Sequence, residues 1–286
     1  MKQIAPSELI LNDDGSIYHL NLRPEEIAHT IITVGDPDRV AAVSKHFDSI
    51  ELRKQKREFC THTGTLNGKR LSVISTGIGT DNIDIVFNEL DALINIDFEK
   101  RQIKEQLVSL DIIRIGTSGS MQADVDVDTF LASEFAIGLD GLLNMYVHQN
   151  SEVETNILQA LPPLNMGIQP YIAPASASLL QKIAFDITKG ITATCLGFYG
   201  PQGRELRLKP SVPNFLDKLS AFSYENYRLT NFEMETAGIY GMSKMLGHQA
   251  LSMNAILANR QNKTFSKTPK QSTERLIQLV LERLCQ

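Results

Sequence analysis

Short β-branched runs alternate with amphipathic helical patterns along the whole chain, and no other feature narrows the fold as much. The apolar runs read as strands over 30–34 (TIITV), 70–75, 111–115, 129–137, 191–196 and 251–258. Helical periodicity occupies 37–46, 82–95, 152–161, 176–187, 212–221 and 233–247, and a last helix over 269–284 carries Leu276, Val280 and Leu284 on one face. Alternation of this kind predicts an α/β domain with a mostly parallel or mixed sheet. There is no internal repeat, low-complexity linker or composition shift, so residues 17–286 read as one domain, with 1–16 as a loose N-terminal arm. The charged segment 97–108 reads as a solvent-side extension of the 82–95 helix.

Composition excludes several classes. With 42% hydrophobic and 21% charged residues, and 28 basic against 33 acidic side chains for a net charge of −5, the chain has an ordinary soluble composition. No stretch approaches the roughly 18 apolar residues of a membrane span, and the opening MKQIAPSELILNDDGS lacks the basic start and apolar run of a secretory signal, so a cytoplasmic protein with no membrane partner is expected. Its three cysteines, Cys60, Cys195 and Cys285, form no C-x-x-C pair, which argues against a disulfide framework or a structural zinc. His29, His46, His62, His148 and His248 show no metal-ligand spacing. Mild acidity speaks against nucleic acid as a partner, and an anionic small substrate would need locally clustered arginines.

Sites in α/β folds gather where strands end and helices begin. The first such place is Val34-Gly35-Asp36-Pro37-Asp38-Arg39. Gly35 lets a ligand approach the backbone, Pro37 suits a first helical turn, and the helix start together with Arg39 attracts an anion. The plain alternative is a turn with a solvated arginine. Ser75 to Thr80 begins like a dinucleotide fingerprint, but Asn82 stands at the third glycine position, which leaves backbone packing or another ligand contact. Gly64 to Lys69 imitates a P-loop with one residue too few, and Asn67-Gly68 within it reads as a hairpin tip. Arg114, inside the apolar strand Ile113-Arg114-Ile115-Gly116-Thr117-Ser118-Gly119, is expensive to bury and must meet a carboxylate or an anionic ligand. The last region joins Phe198-Tyr199-Gly200-Pro201-Gln202-Gly203-Arg204 with Asn231-Phe232-Glu233-Met234-Glu235-Thr236. Gln202 and Arg204 on a glycine-containing loop suit the edge of a planar heterocycle. Two carboxylates around Met234 suit vicinal hydroxyls with the thioether against a sugar, or else form an acidic first turn that complements a helix dipole. His19, in Tyr18-His19-Leu20, is ambiguous by itself.

In this order the motifs resemble the nucleoside phosphorylase-I family, and within it the uridine phosphorylases. The resemblance runs from about Tyr18 to Leu284 and is strongest at 31–40, 57–60, 72–79, 112–122, 198–204, 231–238 and 257–261. It implies a three-layer α/β/α domain around a mixed, partly barrel-like central sheet. It also implies reversible cleavage of a pyrimidine nucleoside by inorganic phosphate, a co-substrate, with no cofactor. Position by position, Gly35, Arg39, Arg114 and Thr117 stand where the family binds phosphate, and Arg57 in Lys56-Arg57-Glu58-Phe59 matches an arginine lent by a neighbouring subunit. Met234 and Glu235 match ribose binders, and His19 matches a histidine that crosses from the neighbour to the sugar's 5′ end. Phe198, Gln202 and Arg204 match the pyrimidine-reading loop, and Arg260 in Asn259-Arg260-Gln261 an arginine that holds that loop and the base. Arg114, Gln202, Arg204 and Arg260 are thus the expected catalytic set, in a homo-oligomer whose sites are shared between subunits.

The resemblance has one departure. Where the family continues after Gly79 with a small residue, proline and serine, this chain has Thr80-Asp81-Asn82-Ile83-Asp84, which places acidic residues beside the expected phosphate pocket and weakens a monovalent-cation site found in some relatives. No metal is therefore expected. The rival readings are a purine nucleoside phosphorylase, which carries an acidic residue where this chain has Asn259-Arg260, a nucleosidase, and a non-catalytic nucleoside-binding protein of the same fold.

Overall fold

The computed structural model describes residues 3–286 and follows the alternation read from the sequence. The first half contains β1 (Thr30–Val34), α1 (Pro37–Ser44), β2 (Ser49–Lys56), β3 (Phe59–Leu66), β4 (Lys69–Ser75), α2 (Thr80–Asn95), β5 (Ile96–Asp97), β6 (Gln102–Ile103) and β7 (Asp111–Ser120). The second half contains β8 (Phe130–Leu139), α3 (Glu152–Ala160), β9 (Tyr171–Pro174), α4 (Ala177–Ile183), β10 (Thr188–Cys195), α5 (Phe215–Ser220), β11 (Ser223–Tyr224), β12 (Tyr227–Glu233), α6 (Thr236–Leu246), β13 (Gln249–Asn259), β14 (Thr264–Phe265) and α7 (Pro269–Leu284).

β1 is β-branched throughout and is buried at every residue, as a strand covered on both faces must be. It lies parallel to β4 on one side and β7 on the other. Beyond β7 the sheet continues through β13, β8, β10 and β12, and β12 pairs back onto β7 through Phe232↔Gly119 and Asn231↔Ser120. That pairing closes five strands into a barrel, while β1, β4, β3 and β2 form an open flank. Register shifts in β10 at Gly190/Ile191 and in β13 between Ile256 and Ala258 supply the local bends that closure needs.

Helices cover both faces. On one, α2 and α6 bury Phe87, Leu90, Ile239 and Tyr240 together with Leu20 and Leu22. On the other, α1, α4 and α7 bury Val40, Val43, Ile183, Leu276 and Val280. A separate cluster of Ile157, Phe215, Leu219 and Phe222 packs α3 and α5 against the barrel. This is the three-layer α/β/α arrangement with a mixed, partly barrel-like sheet. Among the described residues no helix is long and apolar enough to cross a membrane.

Two expectations need correction. Segment 97–108 does not extend α2, which stops at Asn95; the chain turns into the β5–β6 hairpin instead. Asp97 accepts the Lys100 N–H, and the Asn95 amide accepts from Val108 N and donates to Val108 O, so local polar groups break the helix. The arm is not loose over residues 3–16 either. The Arg101 guanidinium donates to Ile4 O and Ala5 O, Arg101 O accepts from Ile4 N, and Leu9 is buried in the core. The hairpin tip at Asn67-Gly68 is as expected: φ is +50° and +75° at the two residues, the left-handed pair a two-residue turn requires.

Candidate active site

Parallel strand ends and the barrel rim enclose a cavity of about 680 Å³. Of the predicted residues, Gly35, Arg39, Arg114, Thr117, Phe198, Gln202, Arg204, Met234 and Glu235 all line it. Residues as far apart in sequence as Gly35 and Glu235 are thus brought to one cavity.

At one end stand two arginines. Arg39, in the first turn of α1, is placed by the N-cap Asp36, whose carboxylate accepts from Asp38 N at 2.9 Å. Its guanidinium reaches β7 and donates to Ile115 O at 3.3 Å. Burial and the neighbouring Arg114 push the Arg39 pKa below its ordinary value, which an arriving anion would reverse. Arg114 is buried, and its Nη2 lies 2.5 Å from Glu235 Oε2 and 3.1 Å from Glu233 Oε2, while Nη1 donates to Asn254 Oδ1 at 3.0 Å. These carboxylates hold Arg114 charged against the desolvation that opposes it. Gly116 makes the arrangement possible, because the guanidinium folds back over it.

The two carboxylates of Glu233-Met234-Glu235 do different work. The Glu233 carboxylate serves the start of α6, whose N-cap residue is Glu235: it accepts from Glu235 N and Thr236 N at 2.9 Å and from Thr194 Oγ1 at 2.7 Å. Glu235 instead faces the cavity, with Oε1 accepting from Gly79 N at 2.9 Å and Oε2 on Arg114. Burial raises its pKa and Arg114 opposes the rise. One hydrogen bond to each oxygen leaves acceptor capacity on both for hydroxyls.

At the other end, residues 198–204 fold around a 3-10 turn at Gly200–Gln202. Arg204 lies 3.8 Å over the Phe198 ring and donates to Phe198 O and to Gln202 Oε1. Burial and Arg260 bring its pKa down to about 10. Arg260 does not line the cavity; it stands behind the loop, donating to Gln202 O at 3.2 Å and, more weakly, to Gly203 O. Phe232 lies under both guanidinium groups at 5.6 Å. Its ring edge would be 3.2 Å from a Cβ at Gly119, so the strand packs against the ring through glycine.

His19 and Arg57 do not line this chain's cavity. His19 ends the N-terminal segment, and Arg57 occupies the turn between β2 and β3 with φ +55°. Thr80 is buried and donates to Asp140, and neither it nor Asp81 lines the cavity. The acidic side chains that do are Asp36, Glu58, Glu233 and Glu235. Glu58 was not foreseen, since only the β2–β3 turn brings it beside Gly77. Among the described residues no group of three or more His, Cys, Asp or Glu is arranged to hold a metal ion.

A family model described as the phosphorylase superfamily matches residues 29–284. The uridine phosphorylase of Thermococcus kodakarensis is 29% identical, with 93% of this chain and 86% of that protein covered. The purine nucleoside phosphorylase of Listeria monocytogenes is 27% identical over 82% of this chain and 84% of its own length. The crystal structure of a Trypanosoma brucei nucleoside phosphorylase that shows uridine phosphorylase activity superposes with a TM-score of 0.89 at 32% identity, covering 97% of this chain and 99% of that one. With the matched model spanning residues 29–284, the protein belongs to the phosphorylase superfamily.

Proposed function

We propose that the protein is a uridine phosphorylase, a pentosyltransferase that converts uridine and phosphate reversibly to uracil and ribose 1-phosphate. The observation that carries this is the loop end of the cavity: an amide and a guanidinium, Gln202 and Arg204, braced by Arg260. The uridine phosphorylases among the relatives support the same reading.

Phosphate sits between Gly35 N–H, Arg39, Arg114 and Thr117, under the anomeric carbon. Glu235 takes the ribose hydroxyls and Met234 packs against the sugar, so that remote binding energy is spent on orientation. The glycosidic bond lengthens first, the ribose becomes oxocarbenium-like, and phosphate attacks the opposite face with inversion. Charge growing on the departing uracil is met by Gln202 and Arg204, so no covalent nucleophile and no cofactor is needed. His19 and Arg57, away from their own cavity, complete a neighbour's site at the sugar's 5′ end and the phosphate, making a homodimer the smallest active unit. The enzyme works in the cytoplasm.

The test is uracil release from uridine with and without phosphate, with analysis of the sugar product. Release should require phosphate and yield an equal amount of ribose 1-phosphate, and inosine and cytidine should react poorly. Free ribose as product, or inosine turned over as fast as uridine, refutes the proposal.

A further inference from the structure

Glu89, on α2, faces the segment that carries His19. Its carboxylate accepts the main-chain N–H of His19 at 3.0 Å and of Leu20 at 2.8 Å, and lies 2.6 Å from the ring Nδ1 of His19. A carboxylate only accepts, so Nδ1 carries the proton in that contact and Nε2 is the ring nitrogen left to face outward. Both partners are largely shielded, with side chains 24% and 12% exposed, and the ring is flanked edge-on by Tyr18 at 4.7 Å and Phe59 at 6.4 Å. Satisfying the main chain of the 17–22 turn needs only an acceptor. The bond to Nδ1 is additional, and it fixes which nitrogen the histidine offers and in what direction.

We infer that Glu89 is a positioning residue for the ribose end of the site: it holds the His19 ring by Nδ1–H and presents Nε2 to the 5′-hydroxyl of a nucleoside bound in the neighbouring subunit. This rests on the proposed sharing of sites between subunits. Glu89→Gln keeps an oxygen for the two main-chain N–H groups but turns an N–H toward Nδ1, so the ring flips its tautomer while the turn stays satisfied.

The experiment compares uridine with 5′-deoxyuridine in the intact enzyme, its Glu89→Gln and Glu89→Asp variants, and His19→Ala, and records 15N imidazole spectra of each ligand-free protein that retains His19. The wild-type enzyme should prefer uridine, and His19→Ala should bring the ratio of kcat/KM values close to one. Glu89→Gln should lower that ratio at least about threefold, the scale of one hydrogen bond that loses the carboxylate's support and must reverse its direction, through KM for uridine and not KM for phosphate. Its spectrum should show Nδ1 without its proton. Glu89→Asp, too short to reach both main chain and ring, should lower the ratio in the same direction. A wild-type ratio and an Nδ1–H signal in Glu89→Gln, beside a collapsed ratio in His19→Ala, overturns the role of Glu89 alone. An unchanged ratio in His19→Ala removes His19 from the sugar, and both the shared-site reading and this inference fall.

Discussion

Gly116 follows Arg114 by two residues on the same face of β7, and the guanidinium occupies the place of its missing side chain. A Cβ there would lie 1.7 Å from Arg114 Nη1 and 2.5 Å from Cζ. Ordinary contact begins near 3.5 Å, so Gly116→Ala must drive the guanidinium away by roughly 1.5–2 Å. The contacts at 3.1 Å to Glu233 and 3.0 Å to Asn254 then pass beyond hydrogen-bond reach, and the bond to Glu235 is stretched. Breaking a buried ion pair costs about 3–5 kcal/mol, and alanine for glycine in a strand returns about 0.5–1 kcal/mol, so the net loss should be roughly 2–4 kcal/mol. A donor misaimed by more than an ångström should also lower kcat/KM for phosphate on the order of 10²-fold. Urea denaturation gives the first number, and initial rates of uracil release at saturating uridine with varied phosphate give the second. Gly119→Ala is the control, since its Cβ is crowded by nothing closer than the Phe232 ring edge at 3.2 Å; its effect on phosphate KM should be small. A Gly116→Ala enzyme with the wild-type urea midpoint and wild-type phosphate KM refutes the account of how Arg114 is held.

Site sharing predicts complementation. In a heterodimer of Arg57→Ala and Arg114→Ala subunits, one site carries both defects and the other neither, so co-refolding should restore part of the activity that each refolded alone lacks; no recovery in heterodimers shown to have formed would place both residues within one chain's site. The acid limb of stability is a further case. The hydroxyls of Ser266 and Ser272 hold the Asp128 carboxyl below the usual carboxylate range. A lowered folded pKa means its contribution is complete above about pH 4 and lost as pH falls through the folded value. Asp128→Asn should therefore cost stability at pH 7 and little at pH 2, measured as thermal midpoints across that range, and a pH-independent difference would contradict the linkage.

Much of the architecture was legible because its strands are buried and apolar: β1, β4, β7, β8, β10 and β13 all answer to β-branched runs. Two of the strands not read are of another kind. β2, SIELRKQK, alternates between exposed and half-buried positions at the sheet edge and carries charge where a core strand would not. β12 is buried over Leu229–Glu233 yet polar, because Thr230, Asn231 and Glu233 satisfy one another and their neighbours across the barrel, a partnership no local pattern announces. In the site, Arg114 was legible as a buried charge in need of a carboxylate or an anionic ligand, and the structure supplies two carboxylates. The local division of labour between Glu233 and Glu235 was not: both line the cavity and touch Arg114, and only the tertiary fold gives Glu233 the N–H groups at the start of α6 and Glu235 that of Gly79. Asn254 and Phe232 were invisible for the same reason: each acts by touching an arginine distant in sequence.

The barrel closure has a consequence for how such a protein can change. Arg114 at one end of the cavity and Gly119 at the other belong to one strand, five residue steps or roughly 17 Å along the chain. That spacing is a covalent ruler, and no side-chain substitution can alter it. The 198–204 loop, by contrast, is held by side chains: Arg260 and Phe232 lie against the far end of the ruler, at Ser120 and Gly119, and reach the loop from there. On the proposed reading of this loop, exchanging it and its brace rewrites base preference while the anchoring end stays in register, and one scaffold can diversify its substrates without rebuilding the chemistry.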